Sequence, residues 1–183
     1  MLIENFLNNI AYLYYPKDKS IFDLDYNDTT EHRLYMKKVY LNHSCDDDEL
    51  VLFLKKLNEK IKPLSIVEFK MGSNFPSYNF QIILDSNKSN VISVYISHLI
   101  PFFHIRQLEG NINLNKSEIS INKDYSGQVL DLVNLIKNEL NQNIFYYEFP
   151  DDKLLKTIPK IRTEENFTYF NAFFIDYYRI INF

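Results

Sequence analysis

One cysteine, three glycines and no tryptophan occur in 183 residues. A single thiol, Cys45, cannot close an intrachain disulfide, so a reducing compartment, the cytoplasm, is the expected location. Gly72, Gly110 and Gly127 stand apart from one another. A loop that cradles phosphate needs clustered glycines, because only then can backbone N–H groups close on the anion; Walker and dinucleotide fingerprints are therefore excluded, and no nucleotide cofactor is expected. So little glycine also leaves no material for flexible joints. With no repeat and no low-complexity stretch, residues 1–183 read as one domain. No apolar run approaches the ~20 residues that cross a bilayer, and Met1 to Tyr15 carries Glu4 and lacks a basic leader, so neither a membrane partner nor a secretory signal is expected. Positive charge is scarce too: 20 Lys and Arg face 24 Asp and Glu, a net charge of −4. A general nucleic-acid binder needs a basic stripe to neutralise phosphates, so no nucleic-acid partner is expected.

What is abundant is Ile, Asn, Phe, Lys and Tyr, all with A/T-rich codons, a bias that reads first as genome composition. Aromatic residues make up 16% of the chain, as 15 Phe and 14 Tyr. A buried Tyr needs a partner for its hydroxyl, so part of this set belongs near the surface. There a rigid ring either fills the rim of the core or serves a protein contact at little entropic cost.

The hydrophobic period divides the chain into helices first and strands after. Residues 2–15 read as a helix with Leu2, Phe6, Ile10 and Leu13 on one face and Ile3, Leu7 and Tyr14 beside it, ended by Pro16. Residues 17–30 read as an acidic ordered loop. Thr30 is placed to cap a second helix to about Leu41. A third begins in Asp46-Asp47-Asp48-Glu49, where the free N–H groups and the helix dipole favour carboxylates. Its apolar face is Leu50, Phe53, Leu54, Leu57 and Ile61, and Pro63 stops it. Ile66 to Phe69 is a short strand. Tyr78, Phe80, Ile82 and Leu84 then alternate with polar residues, as do Ile92, Val94, Ile96 and Ile100 across a polar turn, the pattern of an antiparallel hairpin half-buried on one face. Phe102 to Leu108 extends the sheet, and Ile119 and Ile121 mark an irregular or weakly extended connection over 111–122. Ser126 is placed to cap a fourth helix to about Asn141, and Ile144 to Phe149 reads as a strand. Phe167 to Tyr178 fits both periods, and its β-favouring composition selects strand. The fold class is α+β, a mainly antiparallel sheet packed against N-terminal helices and one internal helix.

The residues that bear chemistry do not assemble into a motif. A metal needs clustered His, Cys or carboxylate ligands, and His32, His43, His98 and His104 are scattered, so no metal is expected. His98, on a face with Ile96 and Ile100, reads as a hydrogen-bonded core residue. His43 and Cys45 are two residues apart in a stretch that reads as loop, which gives no reason for the thiolate–imidazole contact that a nucleophile requires. Carboxylates gather at Asp23, Asp25, Asp28 and Glu31, at Asp46 to Glu49, and at Asp151 and Asp152. A hydrolytic pair would need one of them buried with a raised pKa. The first cluster, with Tyr26 inside it, also suits a docking surface for a basic partner. No catalytic residue is assigned; Asp23, Asp25, Tyr26, Asp28 and Glu31 are the candidate partner-binding residues.

Several short segments carry a resemblance: Tyr15-Pro16-Lys17, Glu31 with Arg33, Ser77-Tyr78, Ser97-His98-Leu99-Ile100-Pro101-Phe102-Phe103, Ile158-Pro159 with Thr163-Glu164, and Phe170-Asn171-Ala172-Phe173-Phe174-Ile175-Asp176-Tyr177. Together they resemble the small cytoplasmic immunity-type proteins of bacterial polymorphic-toxin and type VI secretion loci. The resemblance implies a non-catalytic protein that binds and neutralises one cognate toxin, encoded by a neighbouring gene. It carries over no binding residue, because such families vary most at the toxin-facing surface. The rival expectations are another kind of protein-interaction module and an enzyme with a non-standard carboxylate site.

Overall fold

The computed structural model describes residues 2–44, 48–69, 75–85, 90–109, 127–163 and 166–175. The helices are α1 (Leu2–Tyr14), α2 (Thr30–Ser44), α3 (Asp48–Lys60), α4 (Gly127–Ile144), α5 (Asp151–Leu154) and α6 (Tyr169–Phe173). The strands are β1 (Ser65–Phe69), β2 (Ser77–Ile83), β3 (Asn90–Ser97), β4 (Phe102–Glu109) and β5 (Tyr147–Glu148), in spatial order β1-β2-β3-β4-β5. The first four are antiparallel, and β5 runs parallel to β4. The fold is α+β, as the order of periods in the sequence requires.

The hairpin register puts Phe80 opposite Val94 and Ile82 opposite Ile92, with Ile105 next to Val94 on β4. Phe80, Ile82, Ile92, Val94 and Ile96 are all buried, under Phe53 and Leu57 of α3, Ile61 just after it, and Val133, Ile136 and Leu140 of α4. Each such side chain contributes roughly 1.5–3 kcal/mol by leaving water. Lys60 closes the α3–α4 seam by ion pairing with Glu139, whose other oxygen accepts a hydrogen bond from Asn143 at 3.0 Å.

The opposite face of the sheet departs from expectation. Its residues are polar, which predicts solvent, yet Ser77, Asn79, Gln81, Ser93, Ser97, His104 and Arg106 are buried. A second apolar layer covers this side, built from Leu7, Ala11 and Tyr15 at one end of the chain, Tyr35 and Val39 of α2, and Phe149, Phe167, Phe170, Phe173 and Phe174. The sheet therefore lies between two helical layers. Alternation recognises two faces of different chemistry, but it does not say which is covered.

Other boundaries are corrected by local chemistry. The cap of α2 is Thr29, not Thr30: its Oγ1 accepts from the His32 N–H at 3.2 Å. α1 buries Leu7 and Ala11 and leaves Leu2, Phe6 and Leu13 exposed, so the stripe expected to face the core is not the one that does. Ala11 lets α1 approach closely, and the Tyr15 hydroxyl after it donates to Ala172 O at 2.7 Å, fixing that side inward. β3 ends at Ser97, whose Oγ accepts from the N–H groups of Leu99 and Ile100, so His98 lies in a turn and not on the strand face. The strand expected over Ile144 to Phe149 shrinks to Tyr147–Glu148, because α4 continues through Ile144 and Phe145 adopts φ 57°. The C-terminal segment begins as helix α6, not strand: Thr168 Oγ1 accepts from Asn171 N–H while Asn171 Oδ1 accepts from Thr168 N–H, a reciprocal cap. Cys45, Asp46, Asp47, residues 111–122, Ser126 and the stretch after Ile175 lie outside the described residues.

Candidate functional site

The acidic stretch before α2 is ordered by hydrogen bonds along its own chain. Asp23 N–H donates to Ser20 O at 3.0 Å, Tyr26 N–H to Asp23 O at 3.0 Å, and Asp28 N–H to Asp25 O at 3.2 Å. Asp23 Oδ2 accepts from the Ser20 N–H at 2.9 Å, the local side-chain bond that makes Asp a turn residue. A 3₁₀ turn, Tyr26–Asp28, delivers the chain to the Thr29 cap. Asp18 N–H donates to Lys160 O at 2.8 Å, which ties the start of the loop to the C-terminal half.

The five candidate residues are thus close together but not alike. Tyr26 is 3% exposed; its ring packs 5.2 Å from His32, so it is a core residue of the loop and offers no aromatic surface to a partner. Asp25 pairs with Lys19, and that bond holds its carboxyl below the usual carboxylate range. Asp28 pairs with Arg33 at 3.1 Å. Both carboxylates remain mostly in water, so each pair is screened and contributes little to stability. Glu31 sits half-buried in the first turn of α2, where a negative charge is favoured. The residues that reach outward are Phe22, 75% exposed, and Leu24, 104% exposed, alternating with Asp23 and Asp25. From the sequence these two are isolated apolar residues of an ordered acidic loop, like Ile21 and Tyr26, with nothing to say which of the four face outward.

No family model, curated protein or solved structure matches this chain.

A catalytic carboxyl pair needs one pKa raised toward neutrality. Asp25 moves down, as does Asp152, where the Lys153 ammonium donates to it. Among the described residues no three His, Cys, Asp or Glu side chains converge on a point that could hold a metal ion. No helix among them is long and apolar enough to cross a membrane.

A second polar cluster lies inside the molecule and was not singled out from the sequence. On the covered face of the sheet Gln81 Nε2 donates to Ser93 Oγ at 3.1 Å, and Ser93 is the cross-strand partner of Arg106. Arg106 donates through Nη2 to the Tyr95 hydroxyl, and its guanidinium lies 4.9 Å from the Tyr95 ring centre and 5.3 Å from that of Phe170. His104, opposite Tyr95, is enclosed by Tyr95, Phe170 and Phe174.

Proposed function

We propose that this chain is a non-catalytic immunity-type protein that binds one cognate toxic effector in the bacterial cytoplasm and blocks it stoichiometrically. The observation that carries this reading is the loop over residues 20–28: an ordered element that holds Phe22 and Leu24 in solvent among exposed aspartates. Leaving two large apolar side chains in water forgoes roughly 1.5–3 kcal/mol each on burial, which a partner surface recovers. Apolar anchors ringed by charge are the usual anatomy of a specific protein contact, with the anchors setting the lifetime and the charges setting rate and register. The sign of the charge selects a basic partner, and toxins that attack nucleic acids are commonly basic.

This reading revises the candidate set. Tyr26 holds the loop from inside, while Phe22 and Leu24 take the role of anchors, with Asp23, Asp25 and Asp28 at the rim. Pull-down with the product of the adjacent gene, together with co-expression of that gene scored by growth, tests it. The native chain is expected to protect, and the Phe22→Ala/Leu24→Ala double variant to lose protection while remaining folded. Full protection by the double variant excludes the loop; no binding of the native chain to the neighbouring product counts against the function itself. A metabolic gene in that position points instead to an enzyme.

A further inference from the structure

We infer that the outer edge of β1 is a dimerisation surface, on which a second copy of this chain adds its own β1 antiparallel about a two-fold axis at Val67. This inference is independent of the loop over residues 20–28 and of the toxin reading.

The registers fix which way each backbone group points. In an antiparallel pair, opposed residues alternate between those that exchange both N–H···O bonds and those that exchange none. Leu84 N–H donates to Asn90 O at 3.0 Å and His98 N–H to Pro76 O at 2.7 Å, so the even-numbered residues of β2 bond to β3. The odd-numbered residues of β2 bond to β1, joining Ile83 to Ser65, Gln81 to Val67 and Asn79 to Phe69. Ile66 and Glu68 therefore turn their N–H and C=O groups outward, and among the described residues no strand lies beyond them. Ser65, Val67 and Glu68 are exposed, and Val67 leaves 41% of its surface in water. β1 has none of the proline, lysine or bulge that commonly blunts an edge. The opposite edge, β5, is only two residues long.

The outward groups are complementary to themselves, which selects a second copy as the occupant. With Val67 on the axis, Ile66 faces the partner's Glu68 and Glu68 faces the partner's Ile66. Each of these pairs exchanges two bonds, so every outward group of Ile66 and Glu68 in both chains is satisfied. Val67 then meets the partner's Val67 in a non-bonded pair, where side chains come closest and two β-branched residues pack well. Neighbouring registers are worse. An axis at Glu68 sets two carboxylates face to face. An axis at Ile66 puts Glu68 opposite the partner's Leu64, whose N–H already donates to Ile61 O at 3.0 Å. The seam is one short strand per chain, so the dimer belongs to the weak class that dissociates on dilution.

Sedimentation velocity of the full chain from about 10 μM to about 1 mM tests this. Monomer is expected to pass to dimer over that range and to go no further. Val67→Lys places two ammonium groups together on the axis. Glu68→Pro removes an outward donor and leaves the bonds to β2 intact. Both variants are expected to stay monomeric with the circular dichroism of the native chain. A cysteine pair reads the register, in a Cys45→Ser background with oxidised glutathione. Val67→Cys should give a covalent dimer, because non-bonded pairs lie ~4.5 Å apart at Cα, within disulfide reach. Ser65→Cys should not, because its twin is displaced by four residues, ~14 Å along the strand. If either monomeric variant fails to fold, the cysteine pair decides. A native chain that is monomeric at every concentration overturns the inference. So does a dimer that survives both variants, or equal cross-linking at the two cysteine positions.

Discussion

Tyr26 and its neighbours Phe22 and Leu24 show how much depends on single side chains. All three are apolar-bearing residues in one acidic stretch, and nothing in their order says which one turns inward. The structure buries Tyr26 against His32 and leaves the other two outside. Tyr26→Ala is therefore expected to act on folding, costing about 3 kcal/mol as a large-to-small change in a packed site. Phe22→Ala and Leu24→Ala should leave stability within about 0.5 kcal/mol. Urea unfolding of the three variants checks this, and a Tyr26→Ala midpoint equal to the native one would refute it. Tyr169 offers a pH test. Burial first, then the charge of Glu4, pushes its hydroxyl up to about 12 from an ordinary 10, and the hydroxyl donates to Asn8 Oδ1 at 2.6 Å. Because the folded value lies above the unfolded one, the stabilisation is fully present below pH 10 and is lost as pH rises from about 10 to 12. Burial and the Glu68 carboxylate raise Tyr78 in the same direction. Tyrosinate absorbance on alkaline titration should rise in two phases, an exposed set near 10 and a buried set appearing with unfolding. A single phase near 10 with the fold intact would contradict the burial of both rings.

Elements whose apolar residues follow one period strongly were legible in the sequence. α3 and α4 bury the residues that helical spacing picks out, and β2 and β3 pair in the register that alternation implies. Two elements were not legible, for different reasons. α1 has apolar residues around most of its circumference, so spacing alone cannot choose the inner face; Ala11 and the Tyr15 hydroxyl choose it through contacts made late in the chain. The C-terminal segment has strand-favouring aromatics, yet α6 forms because Thr168 and Asn171 satisfy each other's backbone N–H groups at its start. That Thr-x-x-Asn pair was present in the sequence and was outweighed by composition. Thr168→Ala should cost about 1 kcal/mol, visible as a lower urea midpoint with an unchanged slope. An unchanged midpoint would mean that aromatic packing alone holds α6 in place.

At the scale of the whole molecule, the sheet is covered on both sides, and this is what the polar alternation of β2, β3 and β4 concealed. Ser77, Gln81, Ser93 and Arg106 look like a solvated face until the aromatic segment from Phe167 to Phe174 is laid against it. Long-range closure of this kind is carried by tertiary contacts such as the bond from Ser77 to Phe174 O, which no local pattern announces. The loop over residues 20–28 keeps Phe22 and Leu24 exposed, and the proposed function rests on it. Of the candidate residues, the acidic cluster was legible in the sequence as one ordered loop, but which of its side chains are exposed and which buried needed the fold. The most direct measurement is the binding kinetics of the purified chain with the purified product of the neighbouring gene, at low and high salt. Native chain, Phe22→Ala/Leu24→Ala and Asp25→Lys/Asp28→Lys should be compared side by side. The account predicts a native complex whose association slows as salt rises. It also predicts at least a tenfold faster dissociation, on the order of 1.4 kcal/mol or more, for the apolar double variant. The charge-reversed variant should associate more slowly and with less salt dependence. Native association that does not respond to salt, or kinetics identical across all three proteins, would contradict it.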